Sequence, residues 1–152
     1  MRSWGGAALC SAALLVPRIM TAAPQRPDSI TFTVVAPHSV RRGKAVPITL
    51  RLTNTGAQPL NLYLTGRTIT FDIIVTRADG QLVWRRLEHV TGQQIVQVKT
   101  LAPGETFELK DEWHQRTNAG ARVSAGDYML TGVIPTDREA LRTVPLPLRI
   151  KP

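Results

Sequence analysis

His38, His89 and His114 are the only imidazoles in the chain, and Asp111-Glu112 stand just before the last of them. An imidazole beside a carboxylate is the raw material of general acid–base chemistry. The placement argues against that use. The histidines fall in different predicted segments. Asp111 and Glu112 are consecutive in a β-patterned run, so they point to opposite faces and do not converge. Asp72 lies between Phe71 and Ile73 and faces away from their side, which suits a structural role, bonding a turn or an arginine. There is no GxSxG, HExxH, Walker-type glycine loop or GxGxxG. The acidic residues lack the alternating spacing of a calcium loop. The single cysteine, Cys10, excludes a CxxC pair, a zinc finger and an intramolecular disulfide. The expectation is a protein that is not an enzyme and uses no metal and no cofactor.

The chemistry that remains is cationic. The 152 residues carry 19 Lys+Arg against 11 Asp+Glu, a net charge of +8. Lysine supplies only Lys44, Lys99, Lys110 and Lys151. Arginine neutralises phosphate well, but only Arg41-Arg42-x-Lys44 and Arg85-Arg86 approach a cluster. No aromatic residues alternate with them as a stacking platform for bases. Nucleic acid is therefore not the expected partner, and arginines on outer strand faces serve solubility.

The elements that must position these residues are strands. Ile30, Phe32 and Val34 share one face, as do Val46, Ile48, Leu50 and Leu52, and again Leu60, Leu62 and Leu64, with polar residues between. Phe71, Ile73 and Val75 lead into Ala78-Asp79-Gly80-Gln81, a strong hairpin signal, and Leu82–Trp84 return. The run from Gln94 to Leu101 ends at Ala102-Pro103-Gly104-Glu105, and Phe107, Leu109 and Trp113 follow. Residues 114–125 read as a long loop. Tyr128, Leu130, Gly132 and Ile134 resume the alternation, and Asp137 to Arg142 suits one helical turn. Val144, Leu146, Leu148 and Ile150 share a face. Pro145 and Pro147, two apart, remove adjacent N–H donors from one lateral edge, which predicts a strand at the border of its sheet. About eight or nine short strands with frequent turns predict an all-β, immunoglobulin-like antiparallel β-sandwich. Gly126-Asp127-Tyr128 has the composition of its tyrosine corner.

The amino terminus differs. Arg2, the uncharged Trp4–Val16, Pro17-Arg18 and the small residues Thr21-Ala22-Ala23 resemble a secretory signal peptide. The apolar stretch is shorter than the ~20 residues that span a bilayer. On this reading residues 1–28 are leader and linker, and 29–152 are the sandwich. The product is exported to the periplasm or beyond, as a monomer with no stable membrane span. With Met20 as the start it would be cytoplasmic instead.

In order and spacing, Leu52-Thr53-Asn54, Phe71-Asp72-Ile73, Asp79-Gly80 with Val83-Trp84, Leu101-Ala102-Pro103-Gly104-Glu105, Trp113 and Gly126-Asp127-Tyr128 resemble the BsuPI-type intracellular proteinase inhibitor domain, from about Val46 to Ile134. The resemblance implies an immunoglobulin-like sandwich that restrains serine proteases. The matching residues are turn and core positions, so no inhibitory site transfers with them. Two loops are candidates by composition. Thr65–Ile69 presents Arg67, Thr68 and Ile69, where a basic side chain could enter a specificity pocket. Gln115–Ser124 presents Arg116 and Arg122. Substrate-like inhibition needs a preorganised loop, and no disulfide braces either one. The alternative is an exported binding or accessory module of the cell envelope that engages another protein without inhibiting it.

Overall fold

The computed structural model describes residues 29–66, 69–88, 95–136 and 139–152; the leader expected over residues 1–28 lies outside them. Along the described chain run β1 (Ile30–Val35), β2 (Ser39–Arg41), β3 (Val46–Asn54), β4 (Leu60–Thr65), β5 (Asp72–Arg77), β6 (Leu82–Arg85), β7 (Val96–Leu101), β8 (Thr106–Trp113), β9 (Gly126–Ile134), β10 (Leu141–Arg142) and β11 (Leu146–Lys151). The chain is an all-β, immunoglobulin-like sandwich. One sheet has the order β1-β3-β8 and the other β2-β11-β9-β5-β6, with β10 beside β9. A two-stranded ribbon, β4-β7, covers part of the core. All pairings are antiparallel except β2 with β11.

The two-residue period decides which side chains meet. Val46, Ile48, Leu50 and Leu52 on β3 face Ile73, Val75, Tyr128, Leu130, Leu148 and Ile150 of the opposite sheet in one buried cluster. Burial of this apolar surface is the main force holding the sheets together. They approach closely at Gly132, where an added Cβ would stand 2.4 Å from Leu50 Cδ2 and 3.0 Å from Thr143 Cγ2. Trp113, 1% exposed, lies between Trp84 (centroids 6.5 Å apart) and Tyr128 (5.7 Å, edge to face). Trp84 itself is only half-buried.

The motif residues interlock. Asn54 is fully buried; its Nδ2 donates to the carbonyls of Gln58 (2.8 Å) and Leu101 (3.0 Å), and its Oδ1 accepts from Gly56 N (2.9 Å). Gly104, at φ 77°, donates its N–H to Asn54 O at 2.8 Å, and Glu105 closes the turn by accepting from Ala102 N at 2.9 Å. Only glycine takes such a positive φ without strain. Asp79-Gly80 forms the expected hairpin, with Gly80 N donating to Arg77 O at 3.0 Å. Tyr128 donates its hydroxyl to Ser124 O at 2.8 Å, completing the tyrosine corner.

Asp72 does turn away from Phe71 and Ile73, yet it is 1% exposed, because Arg85 Nε covers and bonds it at 2.5 Å and Leu87 N donates to it at 3.1 Å. Asp111 accepts from Arg86 Nε at 2.5 Å, and the Arg86 guanidinium lies 3.9 Å from the Phe71 ring centroid. That contact ties β8 of one sheet to the end of β6 in the other.

Four expectations need correction. The described strands outnumber the eight or nine predicted, because β2 and β10 are too short to show a period. Leu141–Arg142 is strand, not the end of a helical turn; residues 137–138 lie outside the described set. Val144 does not share the core face and is 84% exposed. The register against β9 advances by one residue between Arg142↔Val133 and Leu146↔Leu130, and this bulge turns Val144 outward. Finally, β11 is a border strand only along its prolines. Beyond them Arg149 N donates to His38 O at 2.9 Å, and β2 pairs with Arg149–Lys151. Pro145 and Pro147 present that same lateral edge, so pairing starts where the N–H donors return.

Candidate functional site: an arginine-lined cleft between two loops

The long loop predicted after Trp113 is braced along its length. Gln115 holds φ 54° and is 2% exposed. Its side-chain amide fills the turn that follows β2: Oε1 accepts from Gly43 N at 2.9 Å, and Nε2 donates to Arg41 O (2.9 Å) and Lys44 O (2.7 Å). Val123 N returns to Gln115 O at 3.0 Å, so the loop closes as a small hairpin. Within it Arg116 and Arg122 stand opposite each other as a bridge pair. Thr117 N donates to Ala121 O at 2.8 Å and Gly120 N to Thr117 O at 2.9 Å.

Three side chains fasten this hairpin to the sandwich. Trp113 Nε1 donates to Arg116 O at 2.9 Å. Asn118 acts as a substitute peptide group for the edge of β6, with Oδ1 accepting from Arg85 N (2.7 Å) and Nδ2 donating to Arg85 O (2.8 Å). The Tyr128 hydroxyl holds Ser124 O. Hydrogen bonds to main chain therefore supply the bracing that a disulfide would otherwise give.

Between this hairpin and the Arg41–Lys44 turn lies an open cleft of about 890 Å³. Arg42, His114, Arg116 and Arg122 line its walls, and Gly43, Gln115, Val123 and Ser124 complete it. His114 Nε2 lies 3.3 Å from Glu112 Oε1, and Arg116 Nη1 donates to Gly120 O at 2.7 Å. Among the described residues, Arg42, Arg116 and Arg122 form no ion pair with a carboxylate. The arginines of Arg85-Arg86 are different, since each is held by an aspartate. Hydrogen bonding to Asp72 and the charge of that carboxylate hold the Arg85 guanidinium above its ordinary pKa.

The other candidate loop is only partly described. Arg67 and Thr68 lie outside the described residues. Ile69 is half-buried and packs against the core, and it does not line the cleft. The flanks of the loop are tied down: Gly66 N donates to Ile95 O at 2.7 Å, Thr70 N to Thr65 O at 2.9 Å, and Gln97 Nε2 to Gly66 O. His89 also lies outside the described residues, and His38 is exposed. No group of three His, Cys, Asp or Glu side chains among the described residues could hold a metal ion.

Of the residues lining the cleft only Arg116 and Arg122 were named as site residues; His114, Arg42 and Gln115 were missed. Arg42 was visible only as part of a weak basic cluster. Gln115 carried no signal, because its burial depends on a turn far away in sequence.

Comparison with known proteins adds a family. The family described as BsuPI, intracellular proteinase inhibitor, matches residues 33–139. No curated protein matches the chain in sequence. Among solved structures, the chain is similar to an alkylpurine DNA glycosylase from Pseudomonas fluorescens (13% identity, 82% of this chain and 31% of that chain, TM-score 0.44). It is similar to a CARDB domain from Pyrococcus furiosus (12% identity, 80% and 87% covered, TM-score 0.44). It is also similar to a beta-glucosidase from Listeria innocua (7% identity, 81% and 16% covered, TM-score 0.43). The chain thus spans less than two thirds of the glycosylase and of the glucosidase. The family is one of intracellular inhibitors, and this overturns the export expected from the amino-terminal pattern.

Proposed function

The chain belongs to the BsuPI family of intracellular proteinase inhibitors, and from that premise we propose that it restrains a serine protease by presenting the loop Gln115–Ser124. The observation that carries this reading is the bracing of that loop. An inhibitor that occupies a protease cleft must lose little conformational freedom on binding, or its affinity is spent on ordering the loop. Here Gln115, Trp113, Asn118 and Tyr128 hold the loop from separate directions. Arg116 and Arg122 remain exposed as anchors. Arginine is among the residue types that dominate interface energies.

The test is titration of trypsin-like and subtilisin-like serine proteases with the chain, followed by Arg116→Ala, Arg122→Ala and Arg67→Ala. Inhibition that falls about thirtyfold, roughly 2 kcal/mol, on loss of Arg116 or Arg122 supports the reading. A loss confined to Arg67→Ala moves the contact to Arg67, Thr68 and Ile69. No inhibition by the unaltered chain favours a binding module without inhibitory activity.

A further inference from the structure

Arg116 and Arg122 stand directly opposite each other in a cross-strand bridge. Like charges in that arrangement are destabilising. Arg42 lines the same cleft from the neighbouring turn. Four of the seven described arginines outside the cleft carry a carboxylate partner: Arg85 has Asp72, Arg86 has Asp111, Arg51 has Glu108 and Arg149 has Asp127, whereas Arg41, Arg77 and Arg142 have none. In the cleft no described carboxylate pairs with an arginine. The backbone beneath the arginines is held by Gln115 on one side and Trp113 on the other. The repulsion is therefore built into a braced frame.

We infer that the cleft is a receptor for a carboxylate-bearing segment of a partner polypeptide. A carboxylate between Arg116 and Arg122 would accept charge-assisted hydrogen bonds from both guanidiniums and remove their repulsion. Arg42 would take a second acidic side chain or a chain terminus. A cleft of about 890 Å³ holds several residues of an extended peptide. A nucleic-acid strand is the poorer fit, because no Phe, Tyr or Trp lines the cleft and the one ring there, His114, lies 3.3 Å from the Glu112 carboxylate, a charge that repels phosphate. The net charge of +8 would also steer an acidic partner toward the domain. This extends the inhibitor reading by naming the chemistry its partner presents, but it stands on the cleft alone.

The experiment is fluorescence anisotropy with a labelled oligoglutamate at low ionic strength, with an oligothymidylate of equal charge as the comparison. Neither probe involves a protease, so failure of inhibition and failure of this inference are read separately. The unaltered chain should bind the oligoglutamate saturably and lose it as salt rises. Arg116→Gln with Arg122→Gln should weaken binding about tenfold or more. Arg142→Gln, on β10 and away from the cleft, should leave it unchanged. Arg122→Glu should abolish binding yet raise the melting temperature, since it sets an opposite charge across from Arg116. The inference is overturned if the unaltered chain does not bind, if binding survives the double variant, or if Arg122→Glu lowers the melting temperature. Tighter binding of the oligothymidylate, lost in the double variant, would assign the cleft to nucleic acid instead.

Discussion

Gln115→Ala tests the frame on which the cleft depends. The substitution removes three hydrogen bonds, to Gly43 N, Arg41 O and Lys44 O, all between 2.7 and 2.9 Å. Each is worth about 1 kcal/mol net, and more where the abandoned group stays out of water. The three together predict a loss of about 3 kcal/mol. For a domain of this length that is a fall in melting temperature of roughly 10 °C. Gln115→Gly provides the internal control. It loses the same bonds, but position 115 sits at φ 54°, where a Cβ costs about 1–2 kcal/mol. The glycine variant should therefore be more stable than the alanine variant by about that amount. Urea unfolding followed by tryptophan fluorescence, with melting curves in parallel, measures both. If the alanine variant stays within about 0.5 kcal/mol of the unaltered chain, the range of an ordinary surface change, the amide is not what joins the two loops.

Trp113→Ala should cost about 3–5 kcal/mol, because the ring is fully buried and its Nε1–H is bonded to Arg116 O. Trp84→Ala should cost clearly less, since Trp84 is half-buried; equal losses in denaturant unfolding would contradict this packing. Gly132→Ala drives a Cβ to 2.4 Å from Leu50 Cδ2 and should destabilise by about 1–3 kcal/mol, partly recovered by Leu50→Val. Glu105 is held below its ordinary pKa of 4.5, first by the hydrogen bond from Ala102 N and then by Lys99. A depressed carboxyl stabilises the fold above its unfolded pKa and loses that contribution as pH falls through the folded value. The stability difference between the unaltered chain and Glu105→Gln should therefore be present at neutral pH, begin to shrink near 4.5 and vanish only once pH has fallen through the lower, folded-state value. A difference that persists in acid would remove Glu105 from the turn's electrostatics.

Where the cause of a feature is local, it was legible in the sequence. The period of two placed Val46, Ile48, Leu50 and Leu52 on the core face, because alternate strand residues always point the same way. Asp79-Gly80 marked a hairpin and Gly126-Asp127-Tyr128 a tyrosine corner, since turn chemistry depends on adjacent residues. Pro145 and Pro147 announced a lateral edge that cannot pair, and β2 joins β11 only past them. Tertiary structure decided the rest. Val144 left the core face because a one-residue bulge against β9 reversed its parity, and no alternation in the chain encodes a bulge in its partner's register. Arg116 and Arg122 were named as loop residues, but their opposition follows from the closure of the hairpin between Gln115 and Val123. Arg42 joins them because Gln115 Oε1 accepts a hydrogen bond from Gly43 N, in a turn 72 residues away in sequence. A polar side chain becomes a buried tie only when folding brings unsatisfied main-chain groups around it, and a linear reading carries no distance between those groups.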